Sequence, residues 1–367
     1  MSDPRVAKLA RVLVNYCVDV QPGHLVAIYG LPAAQPLLKE TYREVLRAGG
    51  YPYLIASIDG LEELFFSEAS DEQLEHVSKV SEMIANDFDA RIVVLSSSNT
   101  RNLSKVDPER QQLWARANTA LMETTMRRSA AKELKWVGTL YPTTAYAQDA
   151  EMSLEEFEDF VYATTYADTD DPVAEWLAFR EMQQRLVDWL DGKKQVEVKG
   201  PHVEMSLSIE GRTFENADGR KNMPSGEVFT GPVEDSVNGW VQFSYPAVIQ
   251  GREIEGVELQ FEEGKVVKAT AEKNEEFLLS VLDADEGARY LGEFAIGTNT
   301  KIDRFIKNIL FDEKIGGTIH MALGAGYPET GSVNKSAIHM DMICDMREGG
   351  QIHVDGELFY DSGEFKI

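Results

Sequence analysis

Cysteine is nearly absent: Cys17 and Cys344 are the only two in 367 residues. Two such thiols build no disulfide framework and fit a reducing compartment. Long apolar runs are missing too, so no stretch approaches the length needed to cross a bilayer. The opening MSDPRVAKLARVL reads as an amphipathic helix and not as a secretory leader. Basic residues are scarce against acids, 36 to 62, a formal net charge of −26. Such a chain repels nucleic-acid phosphates and anionic membrane surfaces. It suits a salt-rich or otherwise solubility-demanding cytoplasm, and a soluble cytoplasmic protein is the expectation. Glycine-rich phosphate-cradling patterns follow none of the early strands, which gives no support to a nucleotide-binding Rossmann domain.

What is present is enough apolar material for a full core, 43% of residues against 27% charged. The length suggests two domains or one large one. Val6, Leu9, Leu13, Tyr16, Cys17 and Val20 recur at helical spacing and stop at Gln21-Pro22-Gly23. Short apolar strands follow at 24–29, 53–57, 91–97 and 135–140, separated by helices over 33–48 and 108–132. Ser70 with Gln73 and Ser153 with Glu156 are capping boxes. Strands spaced by helices imply a parallel sheet covered on both faces. A further helix from Asp171-Pro172 ends at Gly192, after which 195–199, 203–209, 240–245, 257–262 and 266–271 alternate like antiparallel strands. The expectation is an α/β chain: a parallel α/β domain over 1–192, then an α+β domain rich in antiparallel strands over 193–367.

The chemistry concentrates in the second half. If 337–343 is a strand, His339 and Asp341 share one face while Met340 and Met342 fill the other. A histidine and a carboxylate in an apolar strand are costly to bury unless something neutralises them, and a divalent ion would do so. A hydrogen-bonded core histidine is the plain alternative for one such pair. Glu227 ends a turn-rich run, Glu293 sits between glycines among apolar neighbours, and Glu313 shortly precedes His320. Together Glu227, Glu293, Glu313, His320, His339 and Asp341 offer oxygen and nitrogen donors without sulfur, suited to one or two ions such as Zn, Mn, Co or Mg. Their spacing matches none of the short helical zinc motifs. His24 and His76, at a strand start and on a helix, read as structural, and His202 and His353 as surface strand residues.

The segments NMPSGEVFTGP, LGEFAIGTN, FDEKIGGTIHMALG and HMDMI resemble, in order and spacing, the motifs of the thermophilic metallo-aminopeptidases of the aminopeptidase T and S type. The resemblance spans nearly the whole chain. It implies an α/β N-terminal domain, a catalytic C-terminal domain with two divalent ions, and a homodimer whose sites face an enclosed cavity. Carried over by motif, Glu227, Glu293, His320, His339 and Asp341 would be metal ligands, with Glu313 as a further acid. The loop from Glu313 to His320 is slightly longer than the family pattern. Glu293 or Glu313 would act as general base, and Tyr327 would be the active-site tyrosine. Short peptides would be the substrates. Two other readings stand beside this one. Ring-cleaving dioxygenases with a single non-haem iron resemble the C-terminal half of the family, and a binding protein could retain the fold without activity.

Overall fold

The early alternation of short apolar strands with amphipathic helices folds into a parallel sheet. The computed structural model describes residues 3–249 and 252–367. Its contacts divide the chain into two compact units. One runs up to Trp176 and adds Gly219–Pro224; the other takes Leu177–Asp218 and Ser225–Ile367.

In the first unit the strands lie in the order Tyr51–Ala56, Leu25–Gly30, Ala90–Leu95, Lys135–Leu140 and Asn222–Met223, all parallel. Val26, Ala27, Ile28, Ile92, Val94 and Val137 fill the sheet interior. Asp3 caps the helix Pro4–Val12, accepting from the Arg5 backbone N–H at 2.9 Å, and a π-turn over Leu13–Cys17 continues it. Every apolar residue picked out by spacing in this segment, from Val6 to Val20, is buried. Both capping boxes form. The box at Ser70 opens only the four-residue helix Asp71–Leu74, so His76 lies in the loop beyond it and not on a helix. The single helix expected over 108–132 is two, Pro108–Ala117 and Thr119–Ala130. At the break Asn118 turns its side-chain amide onto the Trp114 carbonyl at 2.9 Å, the local competition through which asparagine ends helices.

Among the described residues the second unit holds two large antiparallel sheets and a two-stranded antiparallel pair, Ala247–Ile249 with Arg252–Ile254. The larger has eight strands and runs from Lys265–Thr270 through Asn238–Gln242 and Val203–Ser208 to Glu364–Phe365. The smaller has five, in the order His339–Asp345, Thr318–Gly324, Leu291–Gly297, Glu227–Thr230 and Glu215–Ala217. Apart from a bulge between Leu291 and Glu293 that lets Leu291 join the core, period-two alternation divides its side chains. Val228, Phe294, Ile296, Ile319, Met321, Leu323, Met340, Met342 and Cys344 share one core with Val198, Met205, Leu207, Leu259 and Phe261 of the larger sheet. Each such side chain contributes roughly 1.5–3 kcal/mol by leaving water. That core fixes the register of the smaller sheet, because a one-residue slip would turn the polar face inward.

Candidate metal centre

The other face of the five-stranded sheet carries Glu227, Glu293, His320, His339 and Asp341. Across the strand pairs Glu227 is opposite Gly297, His320 opposite Ala295, Asp341 opposite Ala322, and His339 opposite Gly324; Glu293 also faces Ala322. Directly opposed residues share a face, so every large polar side chain has a glycine or alanine beside it. The result is a concavity floored by backbone and methyl groups. Gly324 also ends its strand at φ +101, where a Cβ would meet the Ile338 carbonyl oxygen at 2.2 Å. That turn sets the Ala325 carbonyl 2.8 Å from His339 Nδ1. A carbonyl only accepts, so Nδ1 carries the hydrogen and Nε2 faces the cluster.

His339 Nε2 lies 3.3 Å from Glu293 Oε2 and 3.4 Å from Asp341 Oδ1. His320 Nε2 lies 3.1 Å from Glu227 Oε2 and 3.7 Å from Glu293 Oε1. Glu227, Glu293 and His320 are 6%, 4% and 1% exposed. Glu313 follows the short helix Ile309–Asp312 and joins His320 and Asp341 from outside the sheet. All six residues singled out in the sequence therefore converge. Tyr327 packs edge-on against the His339 ring, centroids 5.3 Å apart, and against Phe229 at 5.4 Å. His24 Nδ1 instead accepts a turn amide from Gln21 at 3.1 Å, and His202 lies 3.2 Å from the Gln242 side chain.

Sequence reasoning missed Lys314. It is completely buried, contacts the Glu313 carboxylate, and places Nζ 3.7 Å from Glu227 Oε1. No sequence signal marked it, since a lysine ending the charged run Asp312-Glu313-Lys314 ordinarily reads as solvated. Asp312 is buried as well, but it accepts the backbone N–H groups of Ile306 and Asn308 and stands outside the donor groups.

The electrostatics are those of a dense cluster of opposite charges. Burial opposes charge on His320 and His339, yet contacts with Glu227, Glu293 and Asp341 outweigh it. His320 is held well above the ordinary imidazole value and His339 is pushed up to about 11. Burial likewise works against ionised Glu293 and Asp341, but their histidine partners bring both below the usual carboxylate range. Glu313 goes the other way: burial, opposed by Lys314 and reinforced by Glu227 and Asp341, pushes it up to about 7. Burial and the surrounding carboxylates raise Tyr327, so its hydroxyl keeps its proton.

Among the described residues three groups have their donor atoms within 4.8 Å of one another: Glu227 with Glu293 and His320, Glu293 with His339 and Asp341, and Glu313 with His320 and Asp341. Glu227 Oε2 is buried, lies 3.1 Å from His320 Nε2 without hydrogen-bond geometry, and has no hydrogen-bond partner. Buried polar atoms of this kind are expensive unless something binds them. Clustered oxygen and nitrogen donors with unsatisfied atoms fit a divalent ion.

A family model for the thermophilic metalloproteases, M29, matches residues 2–365. The chain belongs to that family. It is accordingly a metal-dependent hydrolase of peptide bonds. Aminopeptidase 2 of Geobacillus stearothermophilus is 30% identical over 393 residues, covering 95% of this chain and 93% of that one. Aminopeptidase T of Thermus thermophilus is 29% identical over 307 residues, covering 75% and 73%. Among solved structures, wild-type AmpT from Thermus thermophilus shares the fold, with a TM-score of 0.86 at 24% identity and 99% coverage of both chains. A 2,5-dihydroxypyridine dioxygenase from Pseudomonas putida shares it more distantly, with a TM-score of 0.55 at 12% identity over 98% and 96% of the two chains. This M29 fold thus places a parallel α/β sheet before antiparallel sheets, the fold class expected from the sequence.

Proposed function

We propose that the chain is an aminopeptidase that removes the first residue of short peptides, using two divalent ions drawn from Zn, Co, Mn and Mg. The carrying observation is that Glu293 belongs to two donor groups, one with Glu227 and His320, the other with His339 and Asp341. A carboxylate shared in this way is suited to bridging a pair of ions. When bound, such ions supply Lewis acidity, acidifying a water and polarising the scissile carbonyl.

The protein's own groups do the rest. Both Glu293 oxygens face histidines, which suits a bridge and leaves Glu313 as the better base. Glu313, grouped with His320 and Asp341, takes the proton of the attacking water as the C–O bond forms. It returns that proton to the leaving amine as the C–N bond breaks. Lys314 holds the Glu313 carboxylate in place, and the protonated Tyr327 hydroxyl donates to the developing oxyanion. A bound ion would also anchor the free α-amine, which would confine cleavage to the N-terminal residue. Chelation should abolish hydrolysis of unblocked peptides, Co, Mn or Zn should restore it, and N-acetylated peptides should resist. Equal turnover of blocked and free peptides would sink the reading.

A cytoplasmic homodimer completes the proposal. Among the described residues no helix is long and apolar enough to cross a membrane, and both cysteines are buried and outside any disulfide. The helices Pro108–Ala117 and Thr119–Ala130 bury no residue and leave Trp114, Met122 and Met126 exposed. Clustered exposed apolar groups are what subunit contacts cover. A mass of 41 kDa by light scattering in the active preparation would refute the dimer.

A further inference from the structure

Tyr327 sits in the loop 325–338, which joins the strand Thr318–Gly324 to the strand His339–Asp345. Its ring packs against Phe229 and His339, but a ring is placed only as well as the backbone that bears it. Thr330, completely buried, supplies that hold. Its hydroxyl donates to the Tyr327 carbonyl at 2.7 Å and accepts the Gly231 N–H at 3.0 Å. Its own N–H donates to the same Tyr327 carbonyl at 3.0 Å, and its carbonyl accepts the Thr213 N–H at 3.0 Å. Gly231 directly follows the strand Glu227–Thr230. One hydroxyl therefore ties the backbone of Tyr327 to the strand that carries Glu227 and Phe229.

Asn334 holds the other arm of the same loop. Its side-chain amide donates to the carbonyls of Gly324 at 2.6 Å and Gly287 at 2.9 Å, and its backbone carbonyl accepts the Gly326 N–H at 3.2 Å. Neither Thr330 nor Asn334 belongs to a donor group of the centre. A donor that acts on a developing oxyanion must be held within about 0.5 Å of its working position by neighbours that never touch the substrate. We infer that the loop 325–338 is a rigid mount for Tyr327, with Thr330 as its principal positioning residue and Asn334 as the second tie. Thr330 acts through Tyr327, keeping the phenol hydroxyl where the oxyanion forms. The inference rests on the aminopeptidase reading and the oxyanion role of Tyr327 above, and it adds the residues on which that role depends.

The test isolates the tyrosine hydroxyl as a ratio: kcat of metal-loaded protein divided by kcat of the same protein carrying Tyr327→Phe, with leucine p-nitroanilide as substrate. In the wild type that ratio should be about 10²–10³, the range for one oxyanion donor. Thr330→Val keeps the shape of the side chain and removes both hydroxyl bonds. It should cut the ratio by about tenfold or more, the scale of a misplaced catalytic group, with KM and bound metal unchanged. Thr330→Ser, which keeps the hydroxyl, should restore most of it, and Asn334→Ala should lower it in the same sense. A threonine that serves the fold alone predicts a different pattern. Thr330→Val would then lower the denaturation midpoint and leave the ratio as it was, and that result would overturn the inference. Should Thr330→Val not fold, Asn334→Ala decides in its place: a lowered ratio supports the mount and an unchanged one overturns it. A wild-type ratio near one would remove the role of Tyr327 and this inference while leaving the aminopeptidase standing. Turnover of no unblocked substrate by the loaded wild type would remove the aminopeptidase reading itself.

Discussion

His339 donates Nδ1–H to the Ala325 carbonyl at 2.8 Å, and that single bond decides which nitrogen faces Glu293 and Asp341. A ring held this way turns Nε2 toward the cluster, so once that nitrogen gives up its proton its lone pair meets an ion without rearrangement. His339→Ala removes one donor from the group it forms with Glu293 and Asp341. Metal analysis of the purified variant should show lost or weakened occupancy, with hydrolysis falling in step. Full occupancy would overturn the ligand set.

Tyr327→Phe separates catalysis from binding. The hydroxyl stays protonated among carboxylates, so it can donate to an oxyanion. Its loss should lower kcat by about 10²–10³ with metal content unchanged. If the hydroxyl acts only in the transition state, kcat and kcat/KM fall together. Near-normal turnover would make Tyr327 a turn aromatic before Pro328.

The histidines give the metal affinity a pH dependence whose sign is fixed. In the metal-free protein His339 is pushed up to about 11 and His320 stands well above its ordinary value. A raised folded value means that these ion pairs stabilise the metal-free fold fully below the ordinary imidazole range and lose that contribution as pH climbs toward 11. An ion must displace those protons, so affinity should weaken as pH falls. Calorimetric titration near pH 7.5, in buffers of differing ionisation enthalpy, should register proton release on binding. Binding with no proton release would contradict the charge state assigned to the cluster.

Lys314 is completely buried against Glu313 and Glu227. Lys314→Met leaves those carboxylates without their fixed cation. In metal-free protein the expected loss is about 3–5 kcal/mol, the range for breaking a buried pair from one side. Denaturant melts of metal-free and metal-loaded protein should differ, because bound ions would replace much of the missing charge. An unchanged midpoint in the metal-free variant would show that Lys314 is not needed to balance the cluster.

Much of this site was legible because the smaller sheet is so regular. Glu293-Phe294-Ala295-Ile296-Gly297 and His320-Met321-Ala322-Leu323-Gly324 place large apolar residues at one parity and the acid or histidine with small residues at the other. Alternation alone put His339 and Asp341 on one face. It could not say which strands were neighbours, so the pairing of Glu227 with Gly297 and His320 with Ala295 emerged only from the register. Tyr327 and Glu313 lie outside the strands, where side-chain direction follows no period; Glu313 was named for its residue type shortly before His320, and only motif resemblance pointed to Tyr327. Lys314 went unnoticed because a lysine is ordinarily solvated. The Asn118 break between two helices was hidden for a similar reason, since propensity for one long helix gives no weight to a single side-chain-to-carbonyl bond.

Whether Glu293 serves two ions at once is tested most directly by stoichiometry. Metal-free protein would be titrated with Co or Zn while hydrolysis of leucine p-nitroanilide is followed on the same samples, with bound metal counted after removal of excess. The account predicts that full activity is reached at two ions per chain, and that Glu293→Gln weakens both binding events. Full activity at one ion per chain, or a Glu293→Gln variant that loses one ion and keeps the other unchanged, would contradict it.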